Sequence, residues 1–347
     1  MPVNNLEALA DRLGLSVGTV SRALNGKPEV SESTQKRVAD AAKKFGYAPN
    51  HAGRSLRQGL TRTIGFVLNS SSTATRSGSL FYFDIMRGVE HELSRLKLDL
   101  IVLTGSSGEE MHEYVHRIAT RKIVDGLILA ETQPCDERIA TLVRLGLPFA
   151  SFGRSETPGD YPVLDIDYPG MATNAVERLF ALGHRKIAVS IGSTELFYIS
   201  KFYEHYRETL SRLGLPFRQD YVFLADGSME GGAHIAAMIA EMPDPPTAIV
   251  NLFGTTSWGM YRGLAEAGLA PGRDLAILGH RNDAVLGPLT PPLSGYGFDA
   301  ESIGKHLAMM LLAAIPEYAA SVGEQPKELL LPMLFRQGKT DCPPRKQ

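Results

Sequence analysis

The sequence predicts an α/β protein in two parts: an N-terminal all-α helix-turn-helix headpiece and a larger body of doubly wound parallel sheets. Three observations carry this reading. Residues 4–46 read as three short amphipathic helices with their own start and stop signals. Beyond residue 62 short apolar strands alternate with helical stretches, the pattern of parallel sheets covered on both faces. Charge is also split unevenly, with ten Lys/Arg against five Asp/Glu in residues 1–62, although the whole chain carries a formal net charge of −2. A basic head on an acidic body is the asymmetry expected when one end meets phosphates.

In the first helix, Leu6, Leu9, Ala10 and Leu13 repeat at helical spacing, and Asn4 with Glu7 three residues on reads as a capping box. Gly14 supplies the turn. The stretch Leu15 to Gly26, LSVGTVSRALNG, then reads as a second helix capped by Ser16 and stopped by Gly26. Val20, Ala23 and Leu24 share its inner face. Val17, Gly18, Ser21, Arg22 and Asn25 lie on the other, which is small, polar and basic and suits a helix that enters a groove. A third helix, capped by Ser31, has Val38, Ala41, Ala42 and Phe45 as its stripe, Lys43 and Lys44 in its last turn and Gly46 after it. Such a unit presents its second helix to the major groove. A plain three-helix cap with a solvated face is the competing reading, and the local charge weighs against it.

Residues 47–62 lack a core pattern: Pro49 and Asn50 can start a short helix, Arg54, Arg57 and Arg62 are basic, and Leu56 stands among polar neighbours. In the body, strands are expected at 63–69, 99–103, 124–130, 148–152, 186–191, 221–225, 247–251 and 274–279, forming one unit to about residue 162 and another over roughly 163–291. Open α/β sheets bind ligands outside the carboxyl ends of their strands. With 347 residues and 44% hydrophobic content the chain can build these parts. Cys135 and Cys342 stand far apart and outside metal-ligand spacing, which fits a reducing cytosol. No signal peptide precedes residue 4 and no run approaches a membrane span, so a cytoplasmic protein is expected. An enzyme is not: the sequence has no Walker loop, G-x-S-x-G elbow, zinc-ligand cluster or dinucleotide fingerprint, and His112 and His116 share a helix without a third ligand.

The runs VSRALNG, VSESTQKRV and FGYAPNHAGRSLR, in that order, resemble the head of the LacI/GalR family of bacterial transcription regulators. The resemblance implies that Val17, Gly18 and Arg22 choose the operator sequence, with Arg22 the strongest candidate for a direct base contact, its planar fork matching guanine O6 and N7. Ser16, Thr19, Ser21 and Asn25 would mainly hold phosphates. It also implies a hinge helix over residues 48–62, with Asn50 and Arg54 at the DNA and Leu56 as the wedge pushed between base steps from the minor groove. Gly53 departs from the family's usual alanine and weakens that helix by about 1 kcal/mol.

Further on, DIDYPGMATNAVERLFALGHRKIAV, DPPTAIV and ILGHRN resemble the family's ligand-binding lobes, a periplasmic-binding-protein-like body. The piece LTPPLSGYGFDAESIGKHLAMMLLAAI resembles its return crossover, taking 293–319 to the first lobe and 327–337 to the second. The implied division is therefore headpiece 1–47, hinge 48–62, effector and dimerisation domain 63–340, and tail 341–347. The usual sugar-gripping residues depart together: Phe202 stands for an arginine, Phe253 and Gly254 for an N-D pair, and Arg281 for an aspartate. Either the pocket is vestigial or it has been re-lined. In the second case Tyr82, Phe202, Phe253 and Trp258 would stack on a sugar ring and Arg281 would pair with a carboxylate or phosphate, with Arg154, Asp167 and Tyr198 as further lining candidates.

The resemblance thus implies a homodimeric repressor of carbohydrate genes on a near-palindromic operator, modulated by a small-molecule effector such as a sugar or sugar derivative, without a cofactor or metal. The dimer surface is expected along the first lobe near the helix at 81–97. The alternatives are a soluble carbohydrate receptor that no longer binds DNA, and a regulator whose empty pocket has ceded control to a protein partner.

Overall fold

The computed structural model describes residues 5–24, 26–47, 60–69, 79–105, 110–281 and 289–345. The chain divides into two compact units, Met1–Thr61 and Arg62–Gln347.

The first unit holds α1 (Leu6–Leu13), α2 (Val17–Leu24) and α3 (Glu32–Phe45). Their ends follow from single side chains. Asn5, rather than Asn4, caps α1 by accepting from the Ala8 amide at 2.8 Å; Asn4 itself lies outside the described residues. Ser16 accepts from the Thr19 amide at 3.1 Å and shares a 2.8 Å hydrogen bond with the Thr19 hydroxyl. Ser31 does the same service for α3. Gly14 closes α1 in the left-handed region, φ 63°, where a side chain would be strained. Leu9, Val20 and Val38, one from each helix, are fully buried and meet at the centre. Burying each contributes about 1.5–3 kcal/mol, enough to fix three short helices that would not hold alone.

The second unit contains two six-stranded sheets. The first consists of β1 (Thr63–Asn69), β2 (Asp99–Gly105), β3 (Gly126–Leu129), β4 (Phe149–Phe152), β5 (Val163–Ile166) and β11 (Glu328–Leu331), in the spatial order β11-β5-β4-β3-β1-β2. The second consists of β6 (Ile187–Ile191), β7 (Val222–Leu224), β8 (Ala248–Asn251), β9 (Ala276–His280), β10 (Ser294–Gly297) and β12 (Leu334–Arg336), in the order β12-β10-β9-β8-β6-β7. Every pairing is parallel except β10 with β12. Strands buried on both faces, such as β3, β4, β6 and β8, are near-continuous apolar runs, as parallel sheets require.

Helices cover both faces: α4 (Ser79–Arg95), α5 (Met111–Arg121), α6 (Glu137–Leu145), α11 (Ala300–Ala313) and α12 (Pro316–Val322) lie with the first sheet, and α7 (Tyr168–Ala181), α8 (Phe197–Arg212), α9 (Met229–Glu241) and α10 (Gly254–Glu266) with the second. The chain crosses between sheets after β5, after β10 and between β11 and β12. Three corrections to the lobe borders follow. Residues 163–166 belong to the first sheet, not the second; β10 stays in the second sheet and only the helices after it return; and β11 joins the first while β12 alone joins the second. The reason for the second correction is visible at Gly295, where a Cβ would fall 2.0 Å from the Gly279 carbonyl oxygen. A strand written SGYG has weak intrinsic preference, and its close approach to β9 is what makes glycine necessary there.

Candidate functional site

Two sites stand out, one in each compact unit. In the first, α2 buries Val20 and Ala23 and presents Ser16, Val17, Gly18 and Arg22 to solvent. Val17 is 40% exposed, a large apolar group with no partner on the headpiece core. An ideal Cβ at Gly18 would lie 3.7 Å from Arg22 Nη2, so the guanidinium folds back along the helix over the bare backbone of Gly18. Thr19 is half-buried and tied to Ser16, and Ser21 is half-buried at the edge of the face. The result is an exposed strip with an apolar methyl pair and a planar cation lying over a bare glycine backbone. Such a strip fits a groove lined by acceptors. Arg37, which donates to the Leu13 carbonyl, and Arg12, whose guanidinium lies 4.6 Å from the Phe45 ring centre, are used within the headpiece. Asn25, Asn50, Arg54 and Leu56 lie outside the described residues.

The second site lies between the two sheets. Strand order reverses between β1 and β3 in one sheet and between β6 and β8 in the other, and at such reversals the flanking loops diverge and open a crevice. The two crevices face each other. Asn69 at the end of β1, Glu131 just beyond β3, and Gly192 and Phe253 just beyond β6 and β8 line one cavity of about 550 Å³. That volume is in the range of small-molecule sites. The lobes also touch directly: the Phe197 amide at the start of α8 donates to the Thr132 carbonyl at 2.9 Å.

Glu131 is the most constrained residue of this cavity. It is 6% exposed, its backbone is left-handed with φ 57°, and its Oε1 accepts from the Tyr82 hydroxyl at 3.3 Å. A left-handed non-glycine backbone costs of order 1–3 kcal/mol and must be held by its surroundings. The brace is Arg138, which donates to the carbonyls of Ala130 (3.1 Å) and Glu131 (2.9 Å) while both its Nε and Nη2 engage Asp136. Burial pushes the Asp136 carboxyl up, but the hydrogen bonds and charge of Arg138 outweigh it and hold the group below its usual range. Asp136 further accepts from the amides of Gln133 and Arg138, so the loop after β3 is tied to the start of α6.

Beside the cavity an aromatic layer runs from lobe to lobe. Phe81 meets Tyr82, Phe152 and Phe298 at ring-centre distances of 5.1, 5.9 and 5.3 Å, and His280 stacks on Phe298 at 4.9 Å. Tyr168 and Tyr198 pair at 4.8 Å. Burial raises the phenols of Tyr82, Tyr168 and Tyr198 and lowers the His280 imidazole to about 4, so all four are neutral near pH 7. Asp165 is pushed up to about 6, chiefly by burial, against the pull of the Ile166 amide and Arg154.

The residues expected in the cleft are redistributed. Phe253 lines the cavity, with its ring against Gly192, and Tyr82 reaches it through Glu131. Phe202 is fully buried inside the second lobe and cannot stack on a ligand. Trp258 is half-buried on α10 and packs against the apolar cluster of the second lobe. Arg281 donates to the Leu293 carbonyl at 3.1 Å and approaches that of Gln337 at 3.5 Å, since its side chain runs back along β10. Asp167 caps α7 by accepting from the Gly170 amide at 2.8 Å. Arg154 is exposed and faces Glu328 at 3.5 Å, and Tyr198 is spent against Tyr168. Glu131, Arg138, Phe81, Phe152 and Phe298 were missed. The positional signal available for Glu131 was its place just past the carboxyl end of a strand. His112 lines the cavity with Nδ1 3.0 Å from Glu137 Oε2. Among the described residues no His, Cys, Asp and Glu group is placed to hold a metal, and no helix is long and apolar enough to cross a membrane.

Residues 5–50 match the family model described as bacterial regulatory proteins, lacI family, and residues 61–337 match that of periplasmic binding proteins and the sugar binding domain of the LacI family. The HTH-type transcriptional regulator AglR of Rhizobium meliloti (strain 1021) is 33% identical over 321 residues, covering 91% of this chain and 88% of that one. A solved structure of a transcriptional regulator CelR–cellobiose complex superposes with TM-score 0.71 at 26% identity, covering 97% and 99% of the two chains. The lac repressor dimer bound to operator and the anti-inducer ONPF shares the fold, with TM-score 0.83 at 22% identity over 99% and 100%. The chain belongs to the LacI family and is a DNA-binding transcriptional regulator, not an enzyme.

Proposed function

We propose that this LacI-family chain is a cytoplasmic, homodimeric repressor of carbohydrate uptake or catabolism genes, released from or fixed to a near-palindromic operator by a saccharide held between its lobes. The observation that carries it is the exposed face of α2, where Arg22 lies over Gly18 beside the exposed Val17. In this reading Arg22 pairs with a guanine edge, Val17 meets a thymine methyl, and Ser16, Thr19, Ser21 and Asn25 set register on phosphates. Asn50, Arg54 and Leu56 serve the minor groove. A two-fold pair of such headpieces requires two half-sites. The neighbour solved with cellobiose supports a sugar as effector. The cavity at both switch points favours a working pocket over a vestigial one. Coupling between saccharide and operator is worth about 1–3 kcal/mol.

The test is a retardation assay of full-length protein on fragments covering its own promoter region and on random genomic DNA, at two salt concentrations. Selective retardation that falls steeply with salt is expected. Binding to no fragment, or binding equal on all of them, overturns the operator reading and leaves the carbohydrate receptor.

A further inference from the structure

We propose that the interlobe cleft selects saccharides by charge, accepting uncharged or aminated sugars and refusing sugar acids and sugar phosphates, with Glu131 as the specificity-determining carboxylate. This rests on the effector reading above.

The cavity is lined by the carboxylates Glu110, Glu131, Asp136, Glu137 and Glu195. Among the described lining residues Arg138 is the permanent cation, and its guanidinium is committed to Asp136 and to the Ala130 and Glu131 carbonyls. It cancels one carboxylate and offers little to a ligand. His112, the remaining basic lining residue, faces Glu137. The two arginines that the sequence offered to an acidic ligand lie elsewhere: Arg281 is bonded to main-chain carbonyls and Arg154 points to Glu328. The described lining residues therefore set up a negative local field, and a low-dielectric wall on each side concentrates it.

Glu131 gives that field a fixed point. Its carboxylate is held by a braced left-handed backbone and oriented by the Tyr82 hydroxyl on Oε1. A carboxylate fixed in the cavity wall attracts an ammonium and repels a phosphate or carboxylate brought into the same cavity, while a neutral sugar feels neither force. Phe253, across the cavity, supplies an apolar surface for the ring face of the sugar.

The experiment is a thermal-shift screen of the full-length protein followed by calorimetry. The probes are cellobiose, maltose and raffinose as neutral sugars, glucosamine and its β-1,4 dimer as amines, and gluconate, cellobionate and glucose 6-phosphate as anions. Hits are expected among neutral and aminated probes only. Glu131→Gln, which preserves shape, is expected to weaken an aminated hit roughly tenfold and to narrow the gap between a neutral hit and its anionic counterpart by a similar factor. Glu131→Asp, keeping the charge, controls for a merely structural loss by retaining the rejection of anions. An anionic probe that binds the unaltered protein as tightly as its neutral counterpart overturns the charge selection while leaving the effector reading intact. Absence of binding by every probe class, with operator binding retained, overturns the effector reading and the selection together.

Discussion

Replacing Gly18 by alanine separates what α2 needs for stability from what it needs for DNA. Gly18 is in the first turn of α2, its φ is not left-handed, and an added Cβ would meet Arg22 Nη2 at 3.7 Å and Ser16 Oγ at 3.9 Å, both ordinary van der Waals contacts. Nothing in the headpiece resists the methyl. Glycine costs a helix about 0.5–1 kcal/mol relative to alanine, so Gly18→Ala should stabilise the headpiece by that amount. For a unit of this size the gain corresponds to a rise of roughly 2–8 °C in its melting transition. The methyl projects from the exposed face, however, and in a groove it occupies space where bare backbone approaches the bases. We expect operator affinity to fall at least about tenfold, roughly 1.4 kcal/mol, while weak binding to random DNA and its salt dependence stay unchanged. The assays are a circular dichroism melt of the full-length variant and fluorescence anisotropy titrations on a selected operator and on scrambled DNA. A destabilised headpiece would refute the packing side of the reasoning. Unchanged operator affinity would refute the placement of Gly18 at the DNA.

Three further outcomes follow from the same geometry. Arg22→Ala should lose about 1–3 kcal/mol of discrimination at one base pair of each half-site with the fold intact, read as a flattened preference in a binding-site selection. Arg138→Met removes the partner of the buried Asp136 and the brace on Glu131, and should cost about 3–5 kcal/mol, seen as a lowered urea midpoint. Asp165 is 7% exposed with its carboxyl pushed up from 3.8 to about 6, so the unfolded chain releases its proton first and this group's contribution to stability falls as pH rises from about 4 to about 6, by roughly 3 kcal/mol. Asp165→Asn should therefore raise stability at pH 7.5 and leave it little changed at pH 4. Equal urea midpoints for variant and parent at pH 7.5 would show that Asp165 carries no such penalty.

The headpiece was legible almost residue by residue, because a short helix is written locally. The spacing of Leu6, Leu9, Ala10 and Leu13, the hydroxyls of Ser16 and Ser31, and the glycines that follow each helix act within one or two turns, and the structure differs only in moving the first cap from Asn4 to Asn5. The eight apolar strands of the body were likewise placed by composition, and the parallel alternation gave the fold class. The sheet partners of β5, β10 and β11 were not, because joining one sheet or the other depends on a chain that crosses three times between lobes, and no local pattern encodes which crossing a four-residue strand precedes.

The cleft divides in the same way. Sequence placed it at the carboxyl ends of the strands, and the cavity lies there. It could not tell that Phe202, in the second turn of α8, faces the interior of its lobe while Phe253, just before α10, faces the cavity, since only the docking of α8 and α10 on the second sheet decides which way each one turns. Nor could it find Glu131, whose role rests on Arg138 seven residues later and Tyr82 forty-nine residues earlier. Backbone contact between α4 and α11 is a third case: a Cβ at Gly88 would fall 2.0 Å from the Glu301 carbonyl oxygen, and one at Gly304 1.9 Å from that of Ile85. Period and caps are properties of neighbours along the chain and are fixed by short-range sterics and hydrogen bonding. The composition of a pocket wall is a property of neighbours in space, decided when burial of apolar faces brings distant segments together.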